Sequence, residues 1–541
     1  MPLRRLDLRR RLLAAVLTTT AASPAVLAGC AGSGSSTGDT DPATLAPAGS
    51  IVYGDLTVNP SGGQRANAQA VFSRLLNTPD PGTKIADTLD KALKQSAKGV
   101  SYGKDIKPWL GRHVGFAVTG LASGGGKPVA SFFDSKDDGT ARSLIERTNP
   151  GANRDYRGVT YRVSGTGVAG SVSGTGTLAV GIVHHVVVDA PEAIFKQVVD
   201  TASGGPALAS DPAFQRGRTA SSSRGQALVN ISVNLAPLLN SPALAQSSVQ
   251  LDAVRRAIDP SQPITFSVDA LPNALALEVT AKPSPQAAST NAPPATSLLR
   301  ALPAQSWLAL AVPHVGQSIA RALGRLPPQV QPRLTAGLDS IRRKTGLDLQ
   351  RDVLPALGDT AVFASGTQLA GLAAGSPNPG DVAFGLVSQP TDAAAAKRTI
   401  ARVGALLRSQ GKAAITPAPG GFAARSKANA AGPGILVEQR GERVAVGIGQ
   451  QTEDSLLHPT QGPTLGSSPA FNAAQATLGA GLSPSFFLSF APVLALAQVS
   501  STQSPSYQRA QPYLRKLDYL VLGSGRRDGL AVSRLVLGIV K

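Results

Sequence analysis

KDIKPWLG at residues 104–111 returns as RDVLPALG at residues 351–358, and this recurrence decides the organisation of the chain. Three further matches occur in the same order in each half. They pair Pro60, Gly63 and Gln64 with Pro313, Gly316 and Gln317, Pro212-Ala213-Phe214 with Pro469-Ala470-Phe471, and Leu235-Ala236-Pro237 with Phe490-Ala491-Pro492. Self-similarity in a constant order over a long spacing indicates an internal duplication.

The composition around these matches places the boundaries of two predicted units. A chain of 541 residues is too long for one ordinary core. Residues 30–49 are rich in Gly, Ser, Thr and Pro and show no apolar period, which predicts a flexible tether. We place repeat unit 1 at residues 50–283, a Pro/Ala/Ser-rich linker at 284–299 and repeat unit 2 at 300–541.

Both units show the same series of short strands and helices. An apolar strand opens each unit, at residues 51–58 and 307–312, and a hairpin closes each one. Three apolar residues share one helix face in each unit. They are Ile85, Leu89 and Leu93 in the first unit and Leu334, Leu338 and Ile341 in the second. The pattern favours an α+β fold with two homologous units of mainly antiparallel sheet and packed helices.

The first 29 residues have the pattern of an export signal. MPLRRLDLRRR is a positively charged start, and the stretch from Leu12 to Leu27 contains no charged residue. Its 16 residues are too few for a typical spanning helix, which needs about 20. Arg9-Arg10-Arg11 also permits a twin-arginine signal, so the export route stays open.

The signal ends in Leu27-Ala28-Gly29-Cys30, which resembles a bacterial lipobox. The resemblance implies a diacylglyceryl group on the Cys30 thiol, cleavage before Cys30, and a freed amine open to a further acyl chain such as palmitate. Two acyl chains anchor a protein firmly where one is marginal. We therefore expect a lipoprotein on the extracytoplasmic face of the cell membrane. The alternative is a free cysteine in an uncleaved anchor or an ordinary signal peptide.

The formal charge of +19 suggests anionic partners, and the alternative is that Arg-rich codon usage sets the charge. A basic surface attracts acidic lipid head groups, envelope polymers or nucleic acid, and the export signal argues against nucleic acid. Arg342-Arg343-Lys344 at a helix end and the pairs Arg515-Lys516 and Arg526-Arg527 beside a strand are the densest basic clusters. Each is compatible with a solvated helix end or turn, and also with a patch that contacts anionic lipid or polymer.

The repeated motifs resemble those of an uncharacterised actinobacterial family, domain of unknown function 3352. The resemblance rests on Pro60-x-x-Gly63-Gln64 after the first strand, on the motif at residues 105–111 and on Ser210-Asp211-Pro212-Ala213-Phe214. It covers most of residues 47–283 and, more weakly, 300–541, as two tandem copies. It implies an extracytoplasmic protein with no assigned activity, and it supplies no catalytic residue.

No motif points to a catalytic, metal or cofactor site. The five histidines are His113, His184, His185, His314 and His458, and their spacing does not suit a metal site. Gly165-Thr166-Gly167-Val168-Ala169-Gly170 fits a dinucleotide-binding pattern, but the sequence after it predicts a loop and not the required helix. We therefore expect no catalytic residue, no metal and no cofactor.

The sequence favours a non-catalytic binding or structural role in the cell envelope. Two alternatives remain open. A carrier of a lipid or another apolar ligand would show a continuous apolar groove. A hydrolase with a spatially assembled site would show a cleft with titratable groups of perturbed pKa.

Overall fold

A computed structural model describes residues 39–96, 99–121, 128–164, 178–221, 227–240, 254–290, 295–324, 331–366, 383–428, 434–448, 456–457, 462–501 and 505–540. The chain divides into two compact units. The first contains the described residues up to Ala287 together with Asp528–Ala531, and the second contains those from Ala288 to Arg527 and from Val532 onward.

The first unit is built on ten strands that pair antiparallel throughout. They are β1 Val52–Thr57, β2 Leu110–Val118, β3 Val129–Ser135, β4 Ala152–Tyr156, β5 Val159–Ser164, β6 Leu178–Val183, β7 Val186–Pro191, β8 Val229–Val233, β9 Ile264–Leu271 and β10 Ala274–Ala281. Their order across the sheet is β10-β9-β8-β1-β2-β3-β7-β6-β5-β4.

The second unit repeats this order strand for strand. Its strands are β11 Ser306–Val312, β12 Asp359–Ser365, β13 Ala383–Gln389, β14 Ala413–Ala418, β15 Gly421–Ser426, β16 Ile435–Arg440, β17 Arg443–Ile448, β18 Leu482–Ser489, β19 Leu517–Arg527 and β20 Leu530–Ile539. They lie in the order β20-β19-β18-β11-β12-β13-β17-β16-β15-β14. The predicted α+β class with two like units of antiparallel sheet is therefore confirmed.

Helices fill the connections at matching places in the two units. In the first unit they are α1 Gly62–Leu76, α2 Pro81–Ser96, α3 Asp138–Thr148, α4 Glu192–Ala202, α5 Pro212–Ala220 and α6 Leu235–Leu239, followed at the boundary by α7 Pro285–Thr290. In the second they are α8 Thr296–Arg300, α9 Val315–Gly324, α10 Gln331–Thr345, α11 Ala393–Gln410, α12 Pro469–Ala476, α13 Phe490–Ser501 and α14 Pro505–Leu514. The equivalent helices α3 and α11 start alike, because Asp137 caps α3 and Asp392 caps α11 by accepting a backbone N–H.

The sheet of the first unit has a core on each face. Phe132, Phe195 and Phe214 belong to the core on one face, together with α4 and α5. Trp109 and Phe133 belong to the core on the other face, under α2 and α3. Aromatic edge-to-face contacts join Trp109 to Phe133 at a centroid distance of 6.4 Å.

The motif that reveals the repeat forms a buried turn before β2 and β12. Its aspartates, Asp105 and Asp352, lie in one-turn π-helices that lead into these strands. Its glycines, Gly111 and Gly358, allow close approach: a Cβ atom would lie 2.2 Å from a carboxylate oxygen of Asp134 at the first and 1.8 Å from a carbonyl oxygen at the second. The motif is therefore required by packing in both units.

The structure corrects the predicted boundaries of the tether and the linker. Ala43, Leu45 and Ala46 are buried in the core of the first unit, so the folded part begins well before residue 50. Leu298 and Leu299 in α8 are likewise buried, so the second unit begins before residue 300. The composition predicted a tether and a linker that were too long, because each segment contributes only a few apolar residues to the core.

Candidate functional site

The segment Asp39–Ala48, which we call the strap, lies against the sheet of the first unit. Leu45 is 1% exposed and shares its core with Phe132. Pro47 forms a β-bridge with Ala207, and the backbone N–H of Leu208 donates to the carbonyl of Ala46 at 2.8 Å. The second unit has an equivalent, in which Pro303 bridges to Thr464 and Leu465 donates to Leu302 at 2.7 Å.

Charged side chains clamp the start of the strap in the first unit. The carboxylate of Asp39 pairs with the guanidinium of Arg112, and that of Asp41 pairs with Arg218. Arg218 is largely buried, which opposes its charge, but the charge and hydrogen bond of Asp41 raise its pKa above the ordinary value. Asp134 accepts the backbone N–H of Arg112 at 2.8 Å, and burial raises the pKa of its carboxyl.

His113 lies between two carboxylates at the centre of this clamp. Its Nδ1 lies 3.3 Å from Asp55 and its Nε2 lies 3.4 Å from Asp39. Burial of the ring opposes protonation, but the hydrogen bond and charge of Asp55, with the charge of Asp39, outweigh burial and raise the pKa of His113. Both ring nitrogens thus face acceptors, which suits a cation that holds the strap and leaves no ring nitrogen to activate a hydroxyl nucleophile.

A small polar pocket opens beside the strap. Ser50, Tyr53, Asp211 and Asn234 are among its lining residues, and its volume is about 70 Å³. The Tyr53 hydroxyl is buried without a hydrogen-bond partner among the described residues, and burial raises its pKa well above the ordinary value. A space of this size holds a few water molecules and is too small for a lipid.

Among the residues that the structure describes, the second unit has no equivalent of this clamp. Tyr53 and Asp55 lie on β1, and the corresponding stretch of β11, residues 308–311, contains only Leu and Ala. The carboxylate that pairs with His113 therefore has no counterpart in the second unit.

The two units also differ on the other face of the sheet. There, α10 of the second unit is the equivalent of α2 in the first. In the first unit, Leu93 of α2 is 7% exposed and belongs to the core that contains Trp109. In the second unit Ala356 replaces Trp109 in the repeated motif. A large aromatic anchor is thereby lost from beneath the equivalent helix.

Helix α10 accordingly buries no side chain, although one of its faces is apolar. Leu334, Leu338 and Ile341 recur at the spacing of a single helix face, and Ile341 is 52% exposed. The preceding helix, α9, buries only Gly316 and leaves Ile319 exposed. We call α9 and α10 the helix pair.

The sheet of the second unit also carries exposed apolar side chains. Val312, Val362, Phe384 and Ile435 are each between 37% and 44% exposed. The strand register places all four on the same face of the sheet, because cross-strand partners and alternate residues of a strand share a face. We call this surface the bare face.

The structure places the described histidines separately. His184 and His185 form the turn between β6 and β7 with positive φ, and His185 pairs with Asp138 at 2.8 Å. His314 pairs with Asp359 at 2.8 Å. Within the described residues, no group of three or more potential ligands is arranged for a metal ion. His113 is the one whose burial and double pairing the sequence did not predict, because its partners come from distant segments.

Several predicted features lie outside the described residues. They are Cys30, the lipobox residues Leu27, Ala28 and Gly29, the glycine-rich stretch at 165–170, and His458. Of the basic clusters, Arg342-Arg343-Lys344 lies in the last turn of α10 as expected. Arg526-Arg527, which we expected beside a strand, forms the last two residues of β19.

Comparison with protein families gives an assignment for the chain as a whole. A family model described as "Protein of unknown function (DUF3352)" matches residues 12–520. The chain belongs to this family. This one continuous match runs through both units. The family's description assigns no activity.

Other comparisons add little. A search of curated proteins finds no match. Crystal form I of TP0453 is similar at 14% identity with a TM-score of 0.26, covering 46% of this chain and 80% of that one. Crystal form IV of TP0453 is similar at 15% identity with a TM-score of 0.25, covering 45% and 81%. A likeness this distant assigns no function.

The length and apolar character of a helix decide whether it can cross a membrane. Within the ranges that the structure covers, no helix combines the length and the apolar character needed to cross a bilayer.

Proposed function

We propose that this protein is a lipoprotein held by a lipid on Cys30 at the extracytoplasmic face of the cell membrane, with a non-catalytic binding or structural role in the envelope. The observation that carries the proposal is the strap. It joins the folded body at Asp39, only nine residues after Cys30. Nine residues span at most about 30 Å, so a lipid on Cys30 would keep the first unit close to the bilayer.

The clamp supports a mechanical role for this junction. Leu45 in the core and the pairs of Asp39 and Asp41 with Arg112 and Arg218 resist extraction of the strap. A non-catalytic role agrees with His113, whose two ring nitrogens both face carboxylates. We further propose that the two units arose by tandem duplication, which the identical strand orders support.

Replacement of Cys30 by Ala tests the anchor. The variant should accumulate as an unprocessed precursor or leave the membrane fraction, and metabolic labelling with a radioactive fatty acid should disappear. Ser35→Ala, a small change in the same segment, is the matched control and should be processed normally. Unchanged processing and retention of Cys30→Ala would defeat the proposal.

The bare face favours one second candidate, a carrier of a lipid or another apolar ligand. Val362 and Phe384 present apolar surface on the same face of adjacent strands, which an acyl chain could cover. Solvent extraction of the purified protein, followed by mass spectrometry, should then yield a non-covalent lipid in stoichiometric amount. Phe384→Asp should abolish it, whereas a protein free of extractable lipid would exclude tight carriage.

A further inference from the structure

We propose that the helix pair of the second unit docks onto the surface of a bilayer that contains anionic lipids. The proposal rests on the proposed function, because the lipid on Cys30 would bring the chain to that surface. It adds a second, independent contact, made by α10 and supported by α9.

The apolar part of the argument comes from comparison within the chain. Helix α2 contributes Leu93 to the core with Leu89 packed beside it, whereas its equivalent α10 buries nothing. An amphipathic helix forms stably when its apolar face is covered. In the stripe, Leu334 and Leu338 are only half-buried and Ile341 is exposed, so the described residues of the second unit do not cover it fully.

The charges on α10 indicate what kind of surface covers its apolar stripe. The helix carries Arg333, Arg342, Arg343 and Lys344 against a single acid, Asp339, which pairs with Arg342. Among the described residues, Arg343 and Lys344 make no ion pair, and both are exposed. Arg321 adds a further exposed cation on α9.

A bilayer interface offers the two features that these surfaces need. Its acyl region receives an apolar stripe to a shallow depth, and its anionic head groups attract the cations that flank the stripe. A helix that combines a basic side with an apolar face is typical of membrane-surface helices. A protein groove would need acidic residues along its rim as well as an apolar floor, whereas an anionic bilayer supplies both features together.

The test uses a single spin label in the full chain. Cys30 is the chain's only cysteine, so Ile341→Cys introduces a site that can be labelled alone once Cys30 carries lipid. Lys91→Cys on α2 is the matched control site. The protein is reconstituted on vesicles of phosphatidylcholine alone or with about one third phosphatidylglycerol, and accessibility of the label to oxygen and to a water-soluble nickel chelate is measured.

We expect the label at 341 to gain oxygen accessibility and lose nickel accessibility on the anionic vesicles only, while the label at 91 stays in water on both. Adding Arg333→Glu and Lys344→Glu, which reverse two exposed cations on one flank of the stripe, should return the label at 341 to water. Lys397→Glu with Arg398→Glu, the same charge change on the packed helix α11, should have no effect. A label at 341 that remains in water on anionic vesicles would overturn the proposal.

The same samples separate this proposal from the anchor. A chain that stays on both kinds of vesicle with the label at 341 in water would support the anchor and overturn the docking helix. A chain that binds only the anionic vesicles, with Cys30 also reactive to the label, would overturn the anchor and support the helix.

Discussion

The carboxylate of Asp352 accepts a hydrogen bond from the guanidinium of Arg402 at 3.0 Å, and this pair joins the repeated motif to α11. Asp105 makes the same connection to Arg147 on α3 in the first unit. Each aspartate also accepts a backbone N–H from the residue four positions before it, at 2.8 Å from Asp348 and 2.7 Å from Ser101. The motif therefore ties a turn to a helix in both units.

Replacement of Asp352 by Asn should destabilise the second unit by about 1–3 kcal/mol at neutral pH, because a largely buried acceptor loses its charge. The backbone N–H of Asp348 is the main cause that lowers the pKa of Asp352, and Arg402 adds to it. A lowered pKa gives stability that is present above the unfolded pKa, near 3.9, and is lost as pH falls through the folded value.

Urea unfolding between about pH 7 and pH 3 checks this prediction. The difference between wild type and Asp352→Asn should shrink toward the acid end. Asp339→Asn, which removes an exposed carboxylate from α10, is the control and should change stability little. A difference that is constant across the pH range would contradict the proposed role of the charge.

A second prediction concerns His113. Its raised pKa means that the imidazolium stabilises the clamp fully below the unfolded pKa of about 6.5, and that this contribution is lost as pH rises through the folded value. His113→Gln should therefore lower the Tm most near pH 6, with a loss of about 1–3 kcal/mol, and progressively less above neutrality. His185→Gln, at an exposed turn, serves as control. An effect of His113→Gln that grows with pH would show that the neutral ring is the stabilising form.

The α+β class and the mainly antiparallel sheets of two like units were predictable because hairpins and the repeated motif appear directly in the sequence. The strap was not, since Ala43, Leu45 and Ala46 lie among Gly, Ser, Thr and Pro with no periodicity, and only the tertiary fold buries them. One signal was available. Pro47-Ala48-x-Ser50 recurs as Pro303-Ala304-x-Ser306, and in both places the serine hydroxyl donates to the proline carbonyl at 2.7 Å.

The clamp and the helix pair could not be predicted from the sequence, for a different reason. His113 meets Asp55 only because β1 and β2 pair antiparallel, and it meets Asp39 only because the strap folds back over them. The stripe on α10 was visible, but the helix pattern predicts an apolar face without saying what covers it. A single sequence gives no register between distant segments, so it could not assemble these sites.

A third prediction tests the strap as a structural element. Leu45→Ala leaves a cavity in the core and should cost about 2–5 kcal/mol of unfolding free energy. The Ala48 amide donates to the carbonyl of Pro206 at 3.0 Å, and the Leu208 amide donates to the carbonyl of Ala46 at 2.8 Å. Hydrogen exchange of these two amides should rise more than that of β2 and β3. Leu121→Ala, at an exposed leucine, is the matched control and should have little effect. Equal exchange everywhere would mean that the strap unfolds only with the whole unit.

The last prediction concerns a substitution that makes the first unit resemble the second. Trp109 is 1% exposed beneath α2, its indole N–H donates to the carbonyl of Asp105 at 2.7 Å, and Ala356 takes its place in the second unit. Trp109→Ala should cost about 3–5 kcal/mol and should detach α2 from its core, because Leu93 loses its largest neighbour in that cluster. Hydrogen exchange in Pro81–Ser96 should then approach that of α10, while exchange in α10 stays unchanged.

Trp109→Phe, which keeps an aromatic anchor, should retain most of the protection even if the alanine variant folds poorly. Full protection of α2 in Trp109→Ala would mean that the missing tryptophan does not explain why α10 remains uncovered.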